Sequence, residues 1–319
     1  MNAVQFAKHG GVENLRYRAV PLPVPLSDEV LIRVRALSLN GFDPMVLRGI
    51  PQLPIPLPMT PCSDCAGEIV RLGDGVDRTR WGIGDRVTLV PIRPGAGVVG
   101  ETLSGVAAEY CAVPQSALLP LPPSVSYVQA ACLPTAYGTA LRMMMKRARV
   151  THGERVMILG AAGGIGTCCV QLARLAGAEV IACAESDEAL VKLRSLGANH
   201  TINIAKTDFL GEIVRWFGRP SIWGGGGVDV VVNFLGGDTW NRSLASLGRR
   251  GRLVTCGASA DPDVQTDLRY VWSFELDIIG SNGWDLTDQE QLLTMVAARQ
   301  LTPVIHAIRP LADYAEALQ

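Results

Sequence analysis

The run Arg155-Val156-Met157-Ile158-Leu159-Gly160-Ala161-Ala162-Gly163-Gly164-Ile165-Gly166 carries the most specific chemistry in this 319-residue chain. An apolar strand leads into a glycine turn that opens a helix, and that context turns a bare glycine pattern into a dinucleotide-binding signal. Glycine lets the backbone approach a pyrophosphate, and the helix start adds unbonded N–H groups and the positive end of its dipole. Ala161 occupies the first glycine position, so the pattern is A-x-G-x-x-G through Gly163 and Gly166, with Gly164 and Ile165 between them. Glu185 closes the next apolar strand, 22 residues after Gly163, with Ser186 beside it. A carboxylate there accepts hydrogen bonds from a ribose 2′-hydroxyl and repels a 2′-phosphate. By itself, Glu185 reads equally well as a solvated loop acid.

Metal chemistry has less to build on. Cys62-x-x-Cys65 supplies two thiols with no second pair nearby, and His9, His152, His200 and His306 are scattered without ligand spacing. Structural zinc needs four N or S donors and catalytic zinc needs three, so the expectation is free loop thiols and no zinc.

The elements that must position these residues fall into two kinds. Before residue 123, short alternating strands (Val30, Ile32 and Val34 against charged neighbours) are separated by Gly and Pro turns, the pattern of an irregular β-barrel. Beyond it, strands at 155–159, 179–184, 200–203, 228–233, 251–256 and 276–280 alternate with helices at 165–176, 187–196, 208–217 and 239–247. Apolar runs such as Val228–Val232 lack alternation, as strands buried on both faces should, so the expected fold is α/β with a doubly wound, Rossmann-type parallel sheet. Of 20 prolines, 15 lie within residues 1–123; proline breaks ladders and helices, which a loop-rich barrel tolerates and a parallel sheet does not. The expected domains are 1–122 with 285–319, and 123–284.

Composition excludes several functions. With 29 Lys and Arg against 30 Asp and Glu, net charge is −1, which leaves no electrostatic footprint for nucleic acid or an anionic membrane. No run is apolar for the ~18 residues a membrane span needs. Eight Cys, several inside apolar runs, suit a reducing, cytoplasmic setting.

The residues also resemble a family, the zinc-free medium-chain dehydrogenases/reductases, especially quinone-oxidoreductase-like members. The resemblance rests on Asn40-Gly41-Phe42-Asp43, Ser63-Asp64-Cys65-Ala66-Gly67-Glu68-Ile69-Val70, Gly84-Asp85-Arg86-Val87, Ala108-Glu109-Tyr110, Pro134 with Thr139-Ala140, the glycine turn, Leu196-Gly197-Ala198 and Gly227-Val228-Asp229-Val230-Val231. It implies a GroES-like barrel beside the nucleotide-binding domain, with the nicotinamide in the cleft between them. Asn40 would then face the nicotinamide and Thr139 would contact its end; Asn40 reads equally as a loop-capping amide. Loops at Asn233-Phe234-Leu235, Cys256-Gly257-Ala258 and Ser281-Asn282 would complete the pocket, with Asn233, Phe234, Leu235, Gly257 and Ser281 at the cofactor. Tyr137 and Trp284 would be an aromatic wall or plain packing. Asp43 and Asp64 read as structural. Where zinc-dependent relatives place Cys and His-Glu, this chain has Asn40 and Ser63-Asp64, poor ligands for a borderline-soft cation.

Hydride transfer without a metal needs proximity and donors at a developing oxyanion. Quinones and conjugated C=C bonds suit it, because the charge spreads onto oxygen. The expected activity is therefore NAD(P)H-dependent reduction of such small molecules. Alternatives are a zinc-free alcohol or aldehyde dehydrogenase, or a nucleotide-binding interaction protein without turnover. Ala189 and Ile204 stand where NADPH-preferring members carry a cation and a Tyr, which with Glu185 leans the cofactor toward NADH. The resemblance also implies a homodimer, and a closing barrel strand beyond the position of Gln319.

Overall fold

A computed structural model describes all 319 residues, which divide into two compact units, Met1–Gly138 with Trp284–Gln319, and Thr139–Gly283. The first unit runs on to Gly138, past the 122/123 break suggested by the prolines, because Tyr127–Ala131 packs on the barrel strands.

In the first unit, β1 (Asn2–Gln5) and β2 (Arg16–Ala19) pair antiparallel. A five-stranded antiparallel sheet combines β3 (Glu29–Ser38), β4 (Asp64–Leu72), β5 (Arg86–Leu89), β8 (Tyr110–Pro114) and β9 (Leu118–Pro120) in the order β8-β3-β4-β5-β9, while β6 (Ile92–Arg93) and β7 (Gly97–Val98) form a small ribbon. The alternation in β3 does what the sequence predicts: Val30 and Ile32 are buried while Arg33 and Arg35 face water. Ile32, Ile69, Val87 and Leu118 from the sheet meet Phe6, Met59 and Tyr314 in one core.

The second unit is a six-stranded sheet of β10 (Arg155–Leu159), β11 (Glu179–Ala184), β12 (His200–Asn203), β13 (Val228–Val232), β14 (Leu247–Thr255) and β15 (Asp277–Gly280). Every pairing is parallel and the order is β12-β11-β10-β13-β14-β15. The chain thus winds outward from β10 in one direction and from β13 in the other. The crevice beyond the carboxyl ends of these two strands is where doubly wound folds bind ligands. Met157, Leu159, Ile181 and Val231 pack with Phe209, Ile213 and Leu244 from the helices.

Helices at Leu268–Ser273 and Leu286–Ala297 add to those that periodicity predicts. The second had a readable signal: Asp285 and Asp288 form a reciprocal capping box. No helix is long and apolar enough to cross a membrane.

Candidate active site

The glycine turn is built as its residue types require. Gly160 follows β10 at φ +69°, a left-handed conformation that glycine adopts without strain. Ala161 N–H donates to Cys183 O at 2.9 Å, and Gly163 N–H to Gly160 O at 3.0 Å, which fixes the turn against β11. Helix Gly164–Leu175 begins with Gly163 at its N-cap and no side chain capping it, so its first N–H groups are left for an anionic partner. A β-carbon on Gly164 would meet nothing within 4 Å, and one on Gly163 only Gly160 O at 3.4 Å. A β-carbon on Gly166 would stand 2.3 Å from Gly160 O, so this glycine is required by the turn's own backbone. The cradle is open at Gly163 and Gly164 and closed beneath them.

Loops after β13 and β14 join this cradle. A β-carbon on Gly160 would lie 3.1 Å from the Phe234 ring and 3.2 Å from Leu235. Ser259 N–H donates to Phe234 O at 3.0 Å and Ala260 N–H to Leu235 O at 2.9 Å, tying the loop that contains Gly257 to them. The side chain of Asn233, a residue expected at the cofactor, is wholly buried and hydrogen-bonded within its own loop and the helix that follows. Asn233 Oδ1 accepts from Leu235 N–H and Gly236 N–H, and its Nδ2 donates to Thr239 and Ser243. It shapes Phe234 and Leu235 rather than offering an amide to a ligand. Ser281 follows β15, and its buried hydroxyl has no partner. Ser186 is likewise used internally, its hydroxyl accepting from Ala189 N–H as the N-cap of Asp187–Leu196. Glu185, just beyond β11, is exposed. Lys206, the cation nearest in sequence beyond β12, is tied to Asp187 at 2.6 Å.

Asn40 belongs to the first unit, whereas Thr139 and the turn belong to the second. Thr139 is nearly buried on the short helix Gly138–Leu141. Asn40 follows β3, and its backbone N–H donates to Asp43 Oδ2 at 2.7 Å. Its side-chain nitrogen donates to Asp64 Oδ2 at 2.9 Å and, more weakly, to Ser38 O at 3.4 Å. The amide nitrogen is therefore committed, and Asn40 offers a ligand its oxygen, an acceptor rather than an oxyanion donor. Asp64 is fully buried and also accepts from Thr135, N–H to Oδ2 at 3.0 Å and hydroxyl to Oδ1 at 2.7 Å. Thr135 carried no sequence signal.

Burial pushes the Asp64 carboxyl up to about 6, against the hydrogen bonds from Thr135 and Asn40 that hold it down. Burial also drives Asp43 up to about 7, opposed by the Asn40 N–H and reinforced by the charge of Asp64. Cys62 lies between, at φ +75°, its thiol donating to Ser38 O at 3.4 Å and Asp64 O at 3.8 Å. Burial, then Asp43 and Asp64, hold that thiol protonated. All eight cysteines are free.

The side chains present suit one of two groups, a dinucleotide or a zinc ion. A dinucleotide fits: open glycines at a bare helix start, an orphan Ser281 hydroxyl and an exposed Glu185 match its phosphate and ribose chemistry. Zinc does not fit. Asn40 and Ser63 are hard, neutral donors, Asp64 is engaged by three hydrogen bonds, and nowhere do three His, Cys, Asp or Glu gather as a ligand set.

Residues 26–123 match the alcohol dehydrogenase GroES-like domain and residues 164–298 the zinc-binding dehydrogenase family. Mouse quinone oxidoreductase is 30% identical, over 99% of this chain and 92% of its own. The chain belongs to the medium-chain dehydrogenase/reductase family. A solved NAD-dependent alcohol dehydrogenase has the same fold at TM-score 0.90 and 29% identity, covering 99% of this chain and 94% of that one. A 2-octenoyl-CoA carboxylase reductase, solved with NADP and 2-octenoyl-CoA, matches at TM-score 0.85 and 28% identity over 99% of this chain and 84% of its own. As a medium-chain dehydrogenase/reductase, the protein is an NAD(P)-dependent oxidoreductase with a GroES-like domain and a Rossmann-type sheet.

Proposed function

We propose that the protein reduces quinones or activated C=C bonds with NAD(P)H and without a metal. The observation that carries this reading is Asn40, hydrogen-bonded to Asp64 at 2.9 Å where zinc-dependent relatives carry ligands. A bound reduced nicotinamide supplies the hydride. Ala161, Gly163, Gly164, Ile165 and Gly166 would hold its pyrophosphate, with Phe234, Leu235, Gly257 and Ser281 beyond it, and Asn40 and Thr139 would act at the reacting end. A substrate whose carbonyl is conjugated spreads negative charge onto its oxygen and needs no Lewis acid there; a simple ketone needs one. The similarities to quinone oxidoreductase and to the 2-octenoyl-CoA carboxylase reductase support the same substrate class.

The test mixes purified protein with NADH or NADPH and a panel of quinones and enones. Oxidation of either nucleotide is expected. Reduction of NAD⁺ by alcohols without enone turnover would favour the alcohol dehydrogenase reading, and tight nucleotide binding without any turnover would favour an interaction protein. Stoichiometric zinc in the purified protein would overturn the metal-free mechanism.

NADH is the proposed donor, since Glu185 is acidic and Lys206 is already paired with Asp187. Glu185→Lys is expected to shift the ratio of NADPH to NADH affinity at least ~10-fold toward NADPH, about 1.4 kcal/mol. An unchanged ratio in a fluorescence titration would remove Glu185 from the ribose site. A homodimer is also proposed: β15 is an open sheet edge with Ile278 exposed. The free thiols support a cytoplasmic setting.

A further inference from the structure

The geometry points to Asp64 as the positioning residue of the barrel side of the site, a buried carboxylate that clamps Asn40 and Thr135 together and decides which atom of Asn40 meets a ligand. The inference rests on the reading of Asn40 as a residue at the reacting end. Three hydrogen bonds converge on this carboxylate from two segments, one 24 residues before it in sequence and one 71 residues after it. Two of them, from Asn40 Nδ2 and Thr135 N–H, land on the same oxygen, Oδ2. That oxygen must offer both its lone pairs to serve them, as a carboxylate or an amide oxygen does. The third comes from a hydroxyl to Oδ1, and a hydroxyl can turn to accept as well as donate.

That asymmetry sets Asp64 apart from a charge requirement. An asparagine can put its oxygen at the Oδ2 position and aim its NH2 at the Thr135 hydroxyl, keeping all three contacts. An alanine removes the acceptor of all three donors and leaves Asn40 Nδ2 only its long bond to Ser38 O. Loss of the clamp frees the Asn40 amide to rotate, so nitrogen and oxygen no longer hold fixed places. Asp64 itself is fully buried with both oxygens engaged, so it acts through Asn40 and Thr135 rather than on substrate.

The experiment compares the wild type with Asp64→Ala, Asp64→Asn, Asn40→Ala and the double variant Asn40→Ala/Asp64→Ala, in the full chain. Circular dichroism and NADH titration establish that each is folded and binds nucleotide. For Asp64→Ala, kcat on the best panel substrate is expected to fall ~10- to 30-fold while the NADH Kd stays within ~2-fold. Asp64→Asn is expected to recover most of the loss. The double variant should fall no further than Asn40→Ala alone, because both changes remove one unit. Peptides covering residues 38–43 and 133–138 should exchange amide hydrogens faster in Asp64→Ala, a readout that needs no substrate.

A folded Asp64→Ala with wild-type kcat, a fully additive double variant, or unchanged exchange would overturn the inference. So would Asp64→Asn falling as far as Asp64→Ala, since charge rather than geometry would then matter. If the wild type turns over nothing in the panel, the proposed function fails, while the exchange comparison still decides whether Asp64 is a clamp.

Discussion

Gly166→Ala is expected to destroy nucleotide binding and destabilise the second unit, whereas Gly163→Ala is expected to fold normally and still lose affinity. The difference lies in what each added methyl meets. At Gly166 it would stand 2.3 Å from Gly160 O, 2.6 Å from Ala161 Cα and 2.8 Å from Ala161 C. Those are backbone atoms of the turn, themselves fixed by the Ala161 N–H bond to β11, so no rotamer can relieve the clash. Overpacking of this kind costs ~1–3 kcal/mol where side chains can adjust, and the rigid turn puts Gly166 at or above the top of that range. At Gly163 the methyl would touch only Gly160 O at 3.4 Å, an ordinary contact, and φ is −74°. The turn accepts it, but the methyl fills space through which a pyrophosphate would approach the backbone. NADH affinity is expected to weaken at least ~10-fold in Gly163→Ala, ~1.4 kcal/mol or more, with Tm within a few degrees of the wild type. Thermal melts and NADH titrations on both variants decide it. A Gly163→Ala protein that binds NADH as tightly as the wild type would place the pyrophosphate elsewhere.

The contrast between local and distant determinants explains how much of the fold and site is legible in the sequence. The turn at 160–166 was legible because strand, glycines and helix start are consecutive, and each residue type has one physical reason to be there. The parallel sheet was legible in runs such as Val228–Val232, where burial on both faces removes alternation. For Asp64 the sequence supports a structural reading and no more, because its three bonds join residues 24 and 71 positions away through ordinary Asn and Thr side chains. No periodicity or spacing announces such a contact. Asn233 shows a second limit of the sequence. A fully hydrogen-bonded amide and one facing a ligand are the same letter in sequence, and only the Thr239 and Ser243 partners tell them apart. The proline count separated barrel from sheet but missed the run-on to Gly138, because helix packing rather than proline content sets that boundary.

Asp43→Asn is expected to gain stability over the wild type as pH rises from 5 to 8, reversing their order within that window. Asp43 is buried and its carboxyl is driven up to about 7, first by desolvation and then by the Asp64 charge. In the unfolded chain an aspartate titrates near ~3.9. A folded-state value above the unfolded one means that the native protein binds the proton more tightly. The resulting stabilisation is full below about pH 4 and is lost progressively as pH rises through about 7. Roughly three units at 1.36 kcal/mol each sets an upper bound of about 4 kcal/mol for the swing. An asparagine keeps an oxygen for the Asn40 N–H, which donates to Asp43 at 2.7 Å, but it cannot ionise, so its own contribution stays flat. At pH 5 the variant should be equal to or less stable than the wild type, since its NH2 must find a partner where the protonated acid carries one hydrogen. At pH 8 it should be the more stable by ~1–3 kcal/mol, several degrees in Tm for a chain of this size. Denaturation midpoints of both proteins from pH 5 to 8 give the answer. Parallel profiles would mean that Asp43 ionises in the folded protein as readily as in water, and the buried acid pair beneath Asn40 would then have to be more hydrated than its packing shows.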